Sequence, residues 1–200
     1  MSVGDDVYGM IARAKTSQGG NYFKDGKYTL AVERLIIEKK HKDIWFIAEM
    51  RILTAQAIDV HPSERNEDEL NVALPPSPVG STVTFMAPMG QEWGPGKAKG
   101  FLCALDDTDP AEVSDANQAG IDAFVALMKG ATSKAQLLRG ALISMETYRK
   151  QPKDGKRAGK WSVRERWETV KGQTPASIAA MRAQLDTAAP LAPQNAAAAS

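Results

Sequence analysis

The segment Gly26-Lys27-Tyr28-Thr29-Leu30-Ala31-Val32-Glu33-Arg34-Leu35-Ile36-Ile37-Glu38, and the segment Asp43-Ile44-Trp45-Phe46-Ile47-Ala48-Glu49-Met50-Arg51-Ile52-Leu53 that follows the polar turn Lys39–Lys42, decide the fold. Successive side chains of a strand point to opposite faces, and Tyr28, Leu30 and Val32 occupy one of them. The apolar phase then slips by one residue to Leu35 and Ile37, beside Ile36, which predicts a β-bulge and a bent strand. In the second segment Ile44, Phe46, Ala48, Met50 and Ile52 form an unbroken apolar face. Trp45, Ile47, Glu49, Arg51 and Leu53 form a mixed one, as in a sheet with one side toward solvent. Two antiparallel strands are expected.

Upstream, residues 5–15 can form a short helix that Ser17-Gln18-Gly19-Gly20-Asn21 stops, so residues 1–25 read as an N-terminal arm. Downstream, residues 55–80 hold Pro62, Pro75, Pro76, Pro78 and an acidic run, too long and polar for a tight hairpin, and read as a flexible excursion. Ser81–Ala87 predicts a third strand with Val83 and Phe85 inward. A Gly/Pro loop with Trp93 and a helix around Lys97–Leu105 follow. Asp109-Pro110-Ala111-Glu112 has the pattern of a capped helix start, with the helix running to about Lys129 and ending at Gly130. Leu138–Lys150 and Lys160–Val170 predict two more strands. Thr174–Leu185 reads as an amphipathic helix, and the Ala/Pro-rich tail 187–200 as disordered.

The element order β-β-β-α-β-β predicts a β-rich α+β fold over residues 26–172: a five-stranded, OB-fold-like Greek-key barrel with helices between strands three and four. Residues 173–200 lie outside it as a short helix and tail. The 200 residues suit one domain. Twenty-five basic side chains nearly cancel 24 acidic ones, so only a local concentration of charge can direct the chain to a partner. The single Cys103 excludes an internal disulfide, and no stretch reaches the ~20 apolar residues of a membrane span. A cytoplasmic protein without membrane contact is expected.

Charge concentrates between residues 149 and 166, where eight cations face Asp154 and Glu165, a net +6 that leaves −5 for the rest of the chain. Clustered cations neutralise backbone phosphates, and aromatic rings beside them offer stacking faces for bases. The candidate nucleic-acid-binding residues here are Tyr148, Arg149, Lys150, Lys153, Lys156, Arg157, Lys160, Trp161 and Arg164. Trp45 and Arg51, on the mixed face of the second strand, join them; the alternative for Trp45 is packing under the 55–80 excursion or the N-terminal arm. Trp167 shares a strand face with Val163 and reads as core. The loop Gly90–Ala98 lies between a strand and a helix but fails as a phosphate loop, because five residues separate Gly90 from Gly96 and Ala98 replaces the Ser/Thr. His41 and His61 lie in polar loops away from Cys103, without zinc spacing, and residues 63–69 lack a calcium-loop layout. No catalytic constellation can be assembled, so the chain is read as a binding protein, not an enzyme, needing no cofactor.

Gly26-Lys27-Tyr28-Thr29-Leu30, Phe46-Ile47-Ala48-Glu49-Met50, Pro78-Val79-Gly80-Ser81 and Gly100-Phe101-Leu102 resemble segments of the OB-fold single-stranded-DNA-binding proteins of tailed bacteriophages, over about residues 20–170. The resemblance implies sequence-tolerant binding of single-stranded DNA during phage replication or recombination in the host bacterial cytoplasm. Replication proteins or self-association are the further partners expected. Many such proteins end in an acidic tail that recruits partners, whereas residues 173–200 here carry only Arg182 and Asp186 as charges. The alternative is a phage virion or assembly protein that uses the same barrel for protein–protein contacts.

If Lys153, Lys156 and Arg157 each neutralise one phosphate, changing all three to Ala flattens the slope of log affinity against log salt by about 2, from three contacts at ~0.7 each. Titration of a labelled single strand at several salt concentrations measures this. An unchanged slope and affinity would remove the hairpin from the binding site.

Overall fold

The computed structural model describes residues 3–13, 24–40, 42–58, 76–150 and 162–187. Its centre is β1 (Gly26–Lys40), which pairs antiparallel with β2 (Asp43–Gln56) along nearly its whole length and with β4 (Leu142–Lys150) over its first six residues. β2 pairs with β3 (Thr82–Pro88), and β4 with β5 (Ser162–Thr169). The result is a five-stranded antiparallel sheet in the order β3-β2-β1-β4-β5. With four helices among the described residues, the protein is a β-rich α+β fold. The register of β1 slips between Thr29 and Leu30 and again between Val32 and Arg34, the second where the apolar phase of the sequence changes.

Among the described residues no ladder joins β3 to β5, yet the two edge strands meet through side chains. The rings of Phe85 on β3 and Trp167 on β5 are 5.3 Å apart, and Phe101 from α2 (Gly94–Asp106) lies 5.4 Å from the first and 5.0 Å from the second. The sheet therefore curls, with α2 filling the gap between its edges. Close approach of α2 needs Gly94, since a Cβ there would stand 1.7 Å from the carbonyl oxygen of Pro88. Trp167 is packed against the core, as its strand face predicts.

α1 (Val3–Arg13) and α3 (Gln118–Thr132) complete the layer over the apolar face. α1 is not peripheral: Val7, Ile11 and Ala12 lie in the core with Phe46, Ala48, Met50 and Ile52 of β2. The second helix expected from Asp109-Pro110 starts later than the sequence suggests. Asp109 makes a single turn, its Oδ1 accepting from the Ala111 N–H at 2.9 Å, and Asn117 is the true cap, accepting from the Gly120 N–H at 3.1 Å. Residues 110–116 carry one apolar side chain that the core accepts, Val113, so a helix there would have had no stripe to bury.

Two glutamines finish the strand edges. Where β1 runs past β4, Gln136 Oε1 accepts from the Leu35 N–H at 2.7 Å and its Nε2 donates to the Leu35 carbonyl at 2.8 Å. Gln173 treats Leu142 at the start of β4 in the same way, at 2.6 and 2.8 Å. Each amide imitates a neighbouring strand and satisfies backbone groups that would otherwise be unpaired. α4 (Pro175–Thr187) packs on the loop that carries Gln136: Arg182 donates to the carbonyls of Gln136, Leu137 and Arg139, and Gly140, at φ +89°, leaves no room for a Cβ beside the Ile178 carbonyl. Most of the excursion (59–75), the hairpin tip (151–161) and the tail (188–200) lie outside the described residues. Among the described residues no helix is long and apolar enough to cross a membrane.

Phe46 is fully buried, with ring centroids 6.2 Å from Phe85 and 5.8 Å from Phe101. Phe46→Ala should therefore cost roughly 3–5 kcal/mol, the cost of an unfilled aromatic cavity. Denaturant unfolding checks it, and a loss under about 1 kcal/mol on the same scale would mean the strand faces are reversed.

Candidate nucleic-acid interface

The second face of the sheet carries side chains that the core does not use. Cross-strand register sets Ile36, Ile47 and Met86 in one row across β1, β2 and β3, with Glu38, Trp45 and Pro88 in the row beside it. Ile36, Trp45 and Met86 lie outside the hydrophobic core, and Ile47 lies apart from its main cluster. Ile47 is nonetheless buried, and its neighbours Ile36, Trp45 and Met86 are half-buried. A half-buried indole at the edge of an aliphatic row offers a ring on which a base can stack. Trp45 thus lies on the face where the sequence places it.

The next rows are charged. Arg34 stands opposite Glu49, which pairs on its other side with Thr84, and Arg51 stands opposite Thr82. The bulge explains the crowding of charge: two residues of β1 oppose one of β2, so Glu33 and Arg34 can both serve the outer side. Glu33 is ion-paired with Arg51, and Thr82 Oγ1 donates to its other oxygen at 3.4 Å. The Arg51 side chain is only 13% exposed. Arg51 therefore arrives with its charge already balanced, which the sequence did not signal, because its partner is fixed by strand register. Arg34, absent from the sequence-derived set, is exposed instead.

The basic hairpin lies at the other end of β1. Tyr148, half-buried, opposes Arg164 across the β4–β5 pair, and its neighbour Thr147 pairs with Gly26. Trp45 pairs with Glu38, twelve residues further along β1, roughly 40 Å for a straight strand. Trp45, Arg51 and Tyr148 are thus strung along the sheet and do not converge on one spot. The backbones of Arg149, Lys150 and Arg164 belong to β4 and β5. Lys153, Lys156, Arg157, Lys160 and Trp161 lie outside the described residues.

At the base of the hairpin the sheet interior turns polar. Glu165 and Thr147 are cross-strand partners, 2% and 0% exposed, and neither Glu165 Oε2 nor Thr147 Oγ1 has a hydrogen-bond partner among the described residues. Lys97 from α2 approaches Glu165 at 3.9 Å and sits 4.7 Å over the Trp93 ring, which is exposed. Burial pushes the Glu165 carboxyl up to about 7, against the pull of Lys97, and burial lowers Lys97. By composition Glu165 had been an anion of the basic hairpin. Its inward side withdraws it from that surface. Lys97 is thus engaged inside the protein by Glu165 and the Trp93 ring. Cys103 is buried in the core and its thiol is pushed up to about 12. Among the described residues no group of three His, Cys, Asp or Glu is placed to hold a metal.

No family model, curated protein or solved structure matches this chain.

A carboxyl raised from 4.5 to about 7 on folding holds its proton more tightly in the native state. Its contribution to stability is full below the unfolded value and is lost as the pH rises through the folded one. The Tm of Glu165→Gln minus that of the wild type should accordingly grow between about pH 4.5 and 7 and level off above. A difference that stays constant across that range in thermal melts would contradict it.

Proposed function

We propose that this protein binds single-stranded DNA with little sequence preference along the outer face of β1, β2 and β3, from the Trp45 platform toward the basic β4–β5 hairpin. The observation that carries the reading is Trp45, half-buried beside Ile36 and Met86 on the sheet face opposite the main core, with a charged band in the adjoining rows. Stacking on such a platform tolerates any base, and cations beside it take the phosphates. The separation of Trp45 from Tyr148 suits an extended strand, which can touch both ends of the sheet, better than a compact ligand.

The finer architecture belongs to the same proposal. We read the curled sheet as an OB-like Greek-key barrel. Support comes from the order β3-β2-β1-β4-β5, from helices inserted between β3 and β4, and from the approach of the two edges at Phe85 and Trp167. In such barrels the second and third strands and the loops L12 and L45 commonly hold oligonucleotides. L45 corresponds here to the basic hairpin. A role in phage replication or recombination rests on the sequence resemblance.

Fluorescence anisotropy of a labelled oligo(dT) at two salt concentrations, with duplex as the competitor, tests the reading. Trp45→Ala should weaken binding by about 1–3 kcal/mol, the worth of one stacked base, while leaving the salt slope almost unchanged. No binding to single strands at low salt would overturn the proposal in favour of a structural, protein-binding role.

A further inference from the structure

An open cleft of about 610 Å³ lies midway along the outer face, between the bulge of β1, the neighbouring part of β2, the loop before β4 and α4. Its volume falls in the range of small-ligand clefts. Five cations and three anions line it, a net +2. Two of the anions are already engaged within the protein: Glu33 with Arg51, and Asp186 with Arg139 at 2.6 Å. Of the remaining cations, Arg182 donates only to neutral carbonyls, at 3.2 Å each, so no carboxylate balances its charge. The side chains of Arg34 and Lys134 are exposed and make no hydrogen bond or ion pair among the described residues. Among the described lining residues Glu49 is the remaining anion, against Arg34, Lys134 and Arg182.

Three separate parts of the chain supply these charges: the bulge aims Arg34, the loop held by Gln136 presents Lys134, and docking of α4 brings Arg182. Cations that are neither paired internally nor spread over open surface, but gathered in a concave site, raise the local potential for an anion. A planar guanidinium and a flexible ammonium free to move are the donors that phosphate oxygens take. The cleft adjoins the Arg34–Glu49 row, next to Ile36 and Ile47, so a strand stacked on Trp45 would lead its backbone into it.

We infer that this cleft is a phosphate-binding site, with Arg34 and Lys134 as the contacting cations and Arg182 as a fixed positive charge behind them, and that it takes the phosphodiesters of the strand that crosses the sheet. The inference rests on the reading of the outer face as a single-strand platform. A free polyphosphate would present the same chemistry, and the test separates the two sources.

The double variant Arg34→Ala/Lys134→Ala removes two side chains without partners, so its melting temperature should match the wild type. Oligo(dT) is titrated against both proteins over a range of salt, and inorganic pyrophosphate is added to both in thermal melts at constant ionic strength. If the cleft holds two phosphates of the strand, the variant loses about 1.4 from the salt slope, two contacts at ~0.7 each. Wild-type affinity and slope in the variant would overturn the cleft as part of the strand path while leaving the Trp45 platform standing. If the wild type binds no oligo(dT), the single-strand reading fails by itself. A pyrophosphate-induced rise in Tm in the wild type that is absent in the variant would then support a phosphate site for a free polyphosphate. No rise in either protein would overturn the cleft as well. Should the double variant melt early, Lys134→Glu alone, on the exposed loop, provides the same readouts.

Discussion

Phe85 and Trp167 sit on strands at opposite ends of the sheet order, and their contact is the constraint on which the rest of the structure depends. A five-stranded antiparallel sheet leaves two edges of unpaired backbone, and such edges invite pairing with other chains. Here the edges are drawn toward each other by Phe85, Phe101 and Trp167, while Phe46 supports them from the centre of β2. Because Phe101 belongs to α2, the helix becomes the wedge between the edges, and Gly94 is required where it meets Pro88. Curling the sheet also sets which side is outward. Trp45, Ile36 and Met86, which do not join this cluster, are left half-buried on the other face.

Closing the gap with a helix rather than a ladder has a cost at the hairpin end. Glu165 and Thr147 face the interior with unsatisfied oxygens, and Lys97 follows Glu165 into the same low-dielectric space. A buried ion pair of this length is weak support for stability, though losing one partner would strand the other charge. The Trp93 ring over Lys97 recovers part of the desolvation, since a cation over an indole face is attracted to it. The interior is thus apolar under β1 and β2 and polar under the root of the basic hairpin.

On the outer side, a single bulge organises the chemistry. It places Glu33 where it ion-pairs with Arg51, and leaves Arg34 exposed across from Glu49 without a closed ion pair among the described residues. The Gln136 amide, bonded to both backbone groups of Leu35, holds the loop against the same turn of β1. α4 is fixed to that loop by Arg182 and by the ion pair of Arg139 with Asp186. The C-terminal helix therefore contributes to the surface that we propose meets the strand, although nothing in its composition marks it as part of a site.

The strands, the two faces of β2, the bulge in β1 and the inward placing of Trp167 were legible in the sequence. Alternation with period two is imposed by backbone geometry, and a change in its phase has few physical readings. The concentration of positive charge between residues 149 and 166 was legible for the same reason, being a property of neighbours in the chain. What only the tertiary structure decided concerns partners distant in sequence. α3 begins at Asn117 because residues 110–116 offer the core little to bury, α1 is docked because the core needs Val7 and Ile11, and Arg51 is neutralised because register brings Glu33 to it. Glu165 was counted with the surface charges and proved to be buried. A charged side chain goes where its desolvation is offset, and that depends on contacts made only after the chain has folded.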